Sequence, residues 1–257
     1  MPSSRASALL ESPIGLQLLV LIAQQEPLGL HESDIAELFG QARALASRFR
    51  GDYPEHVESL RRQAPGLADQ ATALASRMSS WWNPLDRGAQ VWIGKDVSVP
   101  AADRISIDLE RFGLETTKPK RAMWTSTRSG GNISQWLSHG ERQGAAFAWG
   151  LRVSSEARVA EIHGPEDWRS FAVAYRDATP GYVPNDRTNS AERIDPDWGR
   201  VAVDWDGVHL STGGYLTAED VPVSRDGMVT ELRGWDLEST VWLRWAFSSV
   251  ERLDVHA

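Results

Sequence analysis

The chain has 257 residues, with 35 acidic against 27 basic side chains and a formal charge of −8. That balance argues against a generally basic nucleic-acid binder, although it leaves room for a local basic groove. Cysteine is absent, which excludes disulfides, thiol nucleophiles and thiolate metal sites. Only Lys95, Lys118 and Lys120 are lysine among the basic residues, a skew typical of GC-rich bacterial coding.

The chain opens with an apolar run over residues 14–23. It is about half the length of roughly 20 residues that a bilayer span needs. It also follows Glu11 and lacks a basic leader with a small-residue cleavage site, so neither a signal peptide nor a transmembrane segment is expected. A cytoplasmic protein, or a delivered effector, is the default. Leu16, Leu19, Val20 and Ala23 repeat at helical spacing. Ser33 or Asp34 is placed to cap a second helix, whose apolar face would carry Ile35, Leu38, Phe39, Ala42, Leu45, Ala46 and Phe49. Pro54 begins a third segment, and Pro65-Gly66 interrupts it before an Ala-rich helix reaching Met78. Residues 1–88 therefore read as a helical bundle or appendage packed on the rest, with no catalytic constellation of their own.

From Gln90 the period changes. Val91-Trp92-Ile93 is a short apolar run ending at Gly94-Lys95. Residues 121–127 read as a strand entering a Ser/Gly-rich loop, and Ile133 starts a segment with helical character. Residues 146–153 alternate as a strand should, 157–162 follow as another, and Pro165 opens a helix reaching Tyr175. The Pro-, Asp- and Asn-rich residues 176–197 suggest a surface excursion. Residues 201–210 are again strand-like, and a last strand begins at Trp235 or Glu238. The expected class is α+β: a helical N-terminal region, then a mixed or antiparallel sheet with few helices over residues 89–257.

The stretch that carries most chemistry is Gly234-Trp235-Asp236-Leu237-Glu238. Asp236 and Glu238 are two apart, so on a strand they share a face beside Trp and Val neighbours. A carboxylate walled by indoles is costly unless solvated, paired or used. The plain alternatives are an ion pair between Glu238 and Arg244, and a capped turn at Asp236. A second cluster is Asp204-Trp205-Asp206-Gly207-Val208-His209, where His209 is either a proton shuttle or a hydrogen-bonded sheet histidine. His31, His56, His139, His163, His209 and His256 are scattered without ligand spacing, so no metal is expected. Glycine-rich dinucleotide, Walker, zincin and nucleophile-elbow signatures are missing from the sequence.

In order and spacing, Val91-Trp92-Ile93-Gly94-Lys95, Met123-Trp124-Thr125-Ser126-Thr127 and Asp236-Leu237-Glu238 resemble the three motifs of the ADP-ribosyltransferase superfamily. The resemblance covers about residues 90–247. It implies an NAD-consuming enzyme of the toxin or defence kind, with NAD as substrate and no metal. It also implies a macromolecular acceptor and a neutralising protein partner. Glu238 would then be the catalytic carboxylate, stabilising the cationic ribose formed as nicotinamide leaves, with Asp236 orienting the acceptor. Trp124 would stack on nicotinamide, the hydroxyls of Thr125, Ser126 and Thr127 would serve the ribose or support Glu238, and Gly94, Lys95 and Arg128 would meet the pyrophosphate. His209 would replace the histidine of the first motif. The pleat lets only one of the pairs Trp124/Ser126 and Thr125/Thr127 line a pocket while the strand stays regular. Two other classes stay open: a non-catalytic Trp-rich module binding carbohydrate or protein, and a glycosidase pairing Glu238 with Asp206 or another of these carboxylates.

Overall fold

The computed structural model describes residues 4–25, 31–48, 53–94, 99–102, 105, 116–119, 122–129, 133–134, 147–177, 192–235 and 237–253. It is α+β, as the change in sequence period implies. The helical part contains α1 (Ser4–Glu11), α2 (Pro13–Gln25), α3 (Glu32–Arg48), α4 (Tyr53–Gln63) and α5 (Ala68–Arg77), followed by a 3₁₀ turn, Ser79–Trp82. Ser12 separates the first two helices. Its Oγ accepts the Gly15 N–H at 2.8 Å, capping α2, and Pro13 fills the first helical position, where a missing N–H costs nothing. The break bends α1 against α2 by 96°, and among the described residues no single helix is long and apolar enough to cross a membrane. Helix α3 starts at Glu32, before either expected cap. Asp34 sits inside its first turn and accepts the His31 N–H at 2.6 Å, the reverse arm of a capping box.

The main sheet contains β1 (Gln90–Gly94), β2 (Met123–Ser129), β3 (Ile133–Ser134), β4 (Phe147–Val153), β5 (Val159–Ile162), β7 (Gly207–Leu210), β10 (Ser239–Trp242) and β11 (Phe247–Leu253). Its order is β11-β4-β1-β2-β10-β7-β5, with β3 added to β2. The pairs are antiparallel except β5 with β7, which are parallel. Between β5 and β7 the chain runs through α6 (Pro165–Ala174) and α7 (Trp198–Asp204). The helix α8 (Thr212–Ala218) follows β7. A small second sheet joins β6 (Glu192–Arg193), β9 (Met228–Thr230) and β8 (Val223–Arg225).

Three local expectations change. Residues 201–204 belong to α7 and only Gly207–Leu210 is strand. Asp197 caps α7, accepting the Arg200 N–H at 3.1 Å, and this local bond prevails over the Val201/Val203 alternation. Ile133 and Ser134 pair with β2 as a strand instead of starting a helix. The last part of the chain holds two strands, β10 and β11, and α8 was not anticipated.

Strand alternation divides the sheet into two unlike faces. Val91, Trp124, Ser126, Ala160, Ile162, Val208, Leu210, Ser239 and Val241 project to one side by register. Most of these belong to or pack on the main core cluster, which also takes Leu9, Leu16, Leu19, Phe39, Leu74, Trp82, Trp168 and Leu216. The N-terminal helices and the sheet thus share one continuous core. The Ser12 hydroxyl, which donates to the Leu216 carbonyl, ties the α1–α2 corner to α8. The opposite face carries a smaller apolar cluster around Met123, Leu151, Trp242 and Phe247, and beside it a row of polar side chains.

Candidate functional site

That polar row crosses the sheet. Thr125 lies opposite Thr240, Thr240 opposite His209, and His209 opposite Glu161, so all four share a face. Gln90 lies opposite Thr127 on the same side. The row is internally bonded. Thr125 donates to Gln90 Oε1 at 2.6 Å and accepts from Trp242 Nε1 at 2.8 Å, while Gln90 Nε2 donates to Thr127 Oγ1 at 3.0 Å. A buried polar group without partners would be costly, and this network meets that cost strand by strand.

Glu238 lies just before β10, and extending the β10–β2 register places it opposite Thr127. Its carboxylate accepts the Thr127 backbone N–H at 3.0 and 3.1 Å, the Thr127 hydroxyl at 2.8 Å and the Ser126 hydroxyl at 2.8 Å. A strand N–H points along the sheet, so a carboxylate bound to it lies near the sheet plane. There it is reached by Ser126 from one side and Thr127 from the other. The sequence expectation that only one face of β2 can serve the pocket is therefore met only for residues that stand over it, and a group at the strand's edge uses both.

A turn delivers Glu238 to this position. Gly234 has φ +78°, and a Cβ there would lie 2.5 Å from Thr116 Oγ1, so glycine is required for both conformation and space. The buried Glu219 carboxylate accepts the Gly234 N–H at 2.6 Å, and Trp235 Nε1 donates to Thr117 Oγ1 at 3.3 Å. Trp235 and Leu237 are buried on either side of position 236.

Glu238 is almost wholly enclosed, and desolvation pushes its pKa above the ordinary carboxylate range while the Thr127 and Ser126 donors pull it back. It opens on a cleft of about 560 Å³ lined by Thr127, His209, Ser211 and Thr212 on the sheet side. The facing wall is Ser80, Trp81, Asn83, Pro84 and Asp86, from the segment that joins the helical region to β1. His209 Nδ1 lies 3.0 Å from Thr240 Oγ1 and 3.8 Å from Glu238 Oε1. Burial lowers the His209 pKa to about 3, with the neighbouring His163 acting in the same direction, so its imidazole is neutral. On its far side, His209 Nε2 is 4.0 Å from Glu161 Oε2. Burial raises the Glu161 pKa to about 7, against the Leu85 N–H and the Arg87 charge.

Of the residues singled out from sequence, Ser126, His209 and Glu238 come together. Thr125 lies one step behind them, with its hydroxyl engaged by Gln90 and Trp242. Trp124 projects to the opposite face, with its ring edge-on to Trp235 at 5.1 Å and under Lys118 Nζ at 5.0 Å. It is part of the packing there and does not line this cleft. Gly94 lies at the far end of β1, opposite Phe147 and four residues from Gln90. Arg128 follows Thr127, so by register it points away from the Thr127 face. Asp236 and Lys95 lie outside the described residues. Arg244 pairs with Asp206 at 3.2 Å and not with Glu238. Asp206 also accepts the Arg158 N–H at 2.7 Å. It is five positions along β7 from the level of Glu238, roughly 16 Å at about 3.3 Å per residue. That is beyond the spacing of about 5–9.5 Å that glycosidic carboxylate pairs use.

Sequence reasoning overlooked Glu161 and Trp81. Glu161 was visible as a lone carboxylate in the strand Val159-Ala160-Glu161-Ile162, facing the same side as Val159. Trp81 sits in the helical half, in the Ser79–Trp82 turn, whose sequence carries no catalytic constellation. Among the described residues no cluster of His, Asp and Glu is arranged to hold a metal ion. No protein family, curated protein or solved structure matches the chain.

Proposed function

We propose that this protein is an ADP-ribosyltransferase-like enzyme that breaks the nicotinamide–ribose bond of NAD and passes ADP-ribose to a macromolecular acceptor or to water. The observation that carries this reading is the seat of Glu238: a buried carboxylate, fixed by Ser126 and Thr127, at the floor of a cleft with an indole in its wall. When the glycosidic bond breaks, nicotinamide leaves with the bonding electrons and the ribose becomes cationic. A pre-oriented carboxylate in a poorly solvated site stabilises that charge far better than water does. The incoming positive charge also favours the ionised form of Glu238, against the desolvation that opposes it. Trp81, in the cleft wall, takes the stacking role expected of Trp124.

The test is nicotinamide release from NAD, measured by chromatography with and without a cell extract as acceptor source. Wild type should release nicotinamide, and Glu238→Gln should lower the rate about 100- to 1,000-fold, the range for removing a group that stabilises developing charge. Wild-type protein that leaves NAD intact under both conditions would overturn the reading.

A further inference from the structure

We propose that Glu161, His209 and Glu238 form a proton relay in which His209 changes tautomer, carrying the acceptor's proton from Glu238 to Glu161 and so to solvent. The inference rests on reading Glu238 as the working carboxylate, and deepens it by naming how its proton leaves.

Three features of the arrangement support it. First, the order is linear: Glu238 Oε1 lies 3.8 Å from His209 Nδ1, and Glu161 Oε2 lies 4.0 Å from His209 Nε2. Each gap is about 1 Å longer than a hydrogen bond, and on the Glu161 side a small carboxylate rotation closes it. Glu161 Oε2 is buried and has no hydrogen-bond partner, so it has freedom to make that move. Second, Thr240 Oγ1 lies 3.0 Å from His209 Nδ1, and a hydroxyl both donates and accepts. It supports the Nε2–H tautomer by donating and the Nδ1–H tautomer by accepting. Third, the two ends differ in exposure. Glu238 is enclosed, whereas the Glu161 side chain keeps 28% of its surface open on β5, at the sheet's edge.

The transfer conserves charge on the ring. As the acceptor attacks the ribose, its proton passes to the Glu238 carboxylate. Glu238 then gives that proton to Nδ1 while Nε2 gives its own to the Glu161 carboxylate, and imidazole stays neutral throughout. Burial disfavours imidazolium here, so a tautomer exchange suits this histidine better than protonation does. Glu161 releases the proton to water, and exchange with solvent in the cleft that His209 lines restores the starting tautomer.

The groups that tune Glu161 come from several elements. Leu85 donates its N–H at 3.2 Å, and Arg87 stands nearby with its guanidinium on the Ser154 and Ala157 carbonyls. His163 Nε2 lies 3.9 Å away on the same strand's extension, faced in turn by Asp167 of α6 and Arg5 of α1.

The relay is tested by ¹⁵N-histidine NMR across pH 5 to 9, on wild type, Glu161→Gln and His209→Gln, the last to assign the signal. In wild type the His209 tautomer ratio should shift with a midpoint near the Glu161 pKa of about 7, with no imidazolium signal. In Glu161→Gln that step should vanish. The kcat of ADP-ribose transfer, read as nicotinamide release, should lose its limb in the same pH range, with KM for NAD unchanged. A wild-type His209 that holds one tautomer throughout, or a step that persists in Glu161→Gln, would overturn the relay. The tautomer readings need no turnover, so an NAD-inert protein would defeat the enzymatic reading while the tautomer step still decided the coupling.

Discussion

Val208, His209 and Leu210 are consecutive residues of one buried strand, yet they belong to two different regions of the molecule. Val208 and Leu210 face the helices and are sealed in the main core; His209 faces the polar row and the cleft. The same division runs through β2, where Trp124 packs on the helical side and Thr125 and Thr127 on the other, and through β10, where Val241 and Thr240 part company. One face is held by close packing, where volume and apolar area decide stability. The other is held by directed hydrogen bonds, where each donor fixes the orientation of its neighbour. Substitutions on the two faces should therefore fail in different ways, and that difference can be measured.

The largest separation should come from Glu238→Gln against Leu210→Ala. The first should cost about 100- to 1,000-fold in nicotinamide release and leave the melting temperature unchanged or raised, since a desolvated carboxylate is removed. The second should lower unfolding free energy by about 3 kcal/mol through a buried cavity. It should leave the rate per folded molecule near wild type. Denaturant melts read beside activity assays decide it; equal damage to both properties from both variants would erase the distinction between the faces.

Next in size is Gly214→Ala, where the helical layer meets the sheet. A Cβ at Gly214 would lie 2.3 Å from the Ile162 carbonyl oxygen, a backbone atom that cannot swing aside. Overpacking of this kind should cost about 2–3 kcal/mol. Its effect should appear in stability before it appears in catalysis, because the donors that hold the Glu238 carboxylate come from β2 and not from α8.

How far the sequence disclosed these two faces depends on the range of the forces involved. The helical half was legible because Leu16, Leu19, Phe39 and Ala42 repeat at a period set by the helix itself. That Glu238 would need partners was legible from its Trp and Val neighbours, since a carboxylate among them is costly unless it is bonded. Its partners on β2 were anticipated through the Thr125-Ser126-Thr127 run. Trp124 was placed on the wrong side of that strand from Glu238's cleft because the sequence fixes which residues alternate but not which set faces the pocket. Glu161 and Trp81 were not legible, since both reach the site through contacts distant in sequence: Glu161 through pairing of β5 with β7, Trp81 through a turn that closes the cleft from the helical side. The α7 segment was misread because Asp197, a local cap, outweighed an alternating pattern that looked like a strand.

A smaller effect should follow from Thr127→Val, which keeps shape and removes one hydroxyl. That hydroxyl donates to Glu238 and accepts from Gln90. Its loss should raise the Glu238 pKa further, because the donor favours the ionised form. The rate should fall about tenfold at neutral pH, corresponding to about 1.4 kcal/mol for one hydrogen bond to a charged group, and recover partly as pH rises. A rate profile that falls without shifting along the pH axis would mean that Thr127 only fills space.

The finest test of the polar face is the pH dependence of stability, where His209 and Glu161 act in opposite directions. His209 is lowered from 6.5 to about 3, so between these values the unfolded chain binds a proton that the folded one refuses. Stability from this group is complete above pH 6.5 and is lost as pH falls through the window. Glu161 is raised from 4.5 to about 7, so there the folded chain holds a proton that the unfolded one has released. Its contribution makes stability fall as pH rises from 4.5 to 7. In the shared window the two slopes, each up to about 1.4 kcal/mol per pH unit, oppose one another. Glu161→Gln should remove the falling component, so its stability relative to wild type should grow between pH 4.5 and 8 by at most about 3 kcal/mol, solvent at the partly open side chain screening part of the effect. His209→Gln should do the reverse, flattening the acid side and exposing the decline that Glu161 imposes toward neutral pH. Urea melts of the three proteins at four pH values resolve these slopes. Parallel curves would show that neither group feels the burial that the polar face imposes.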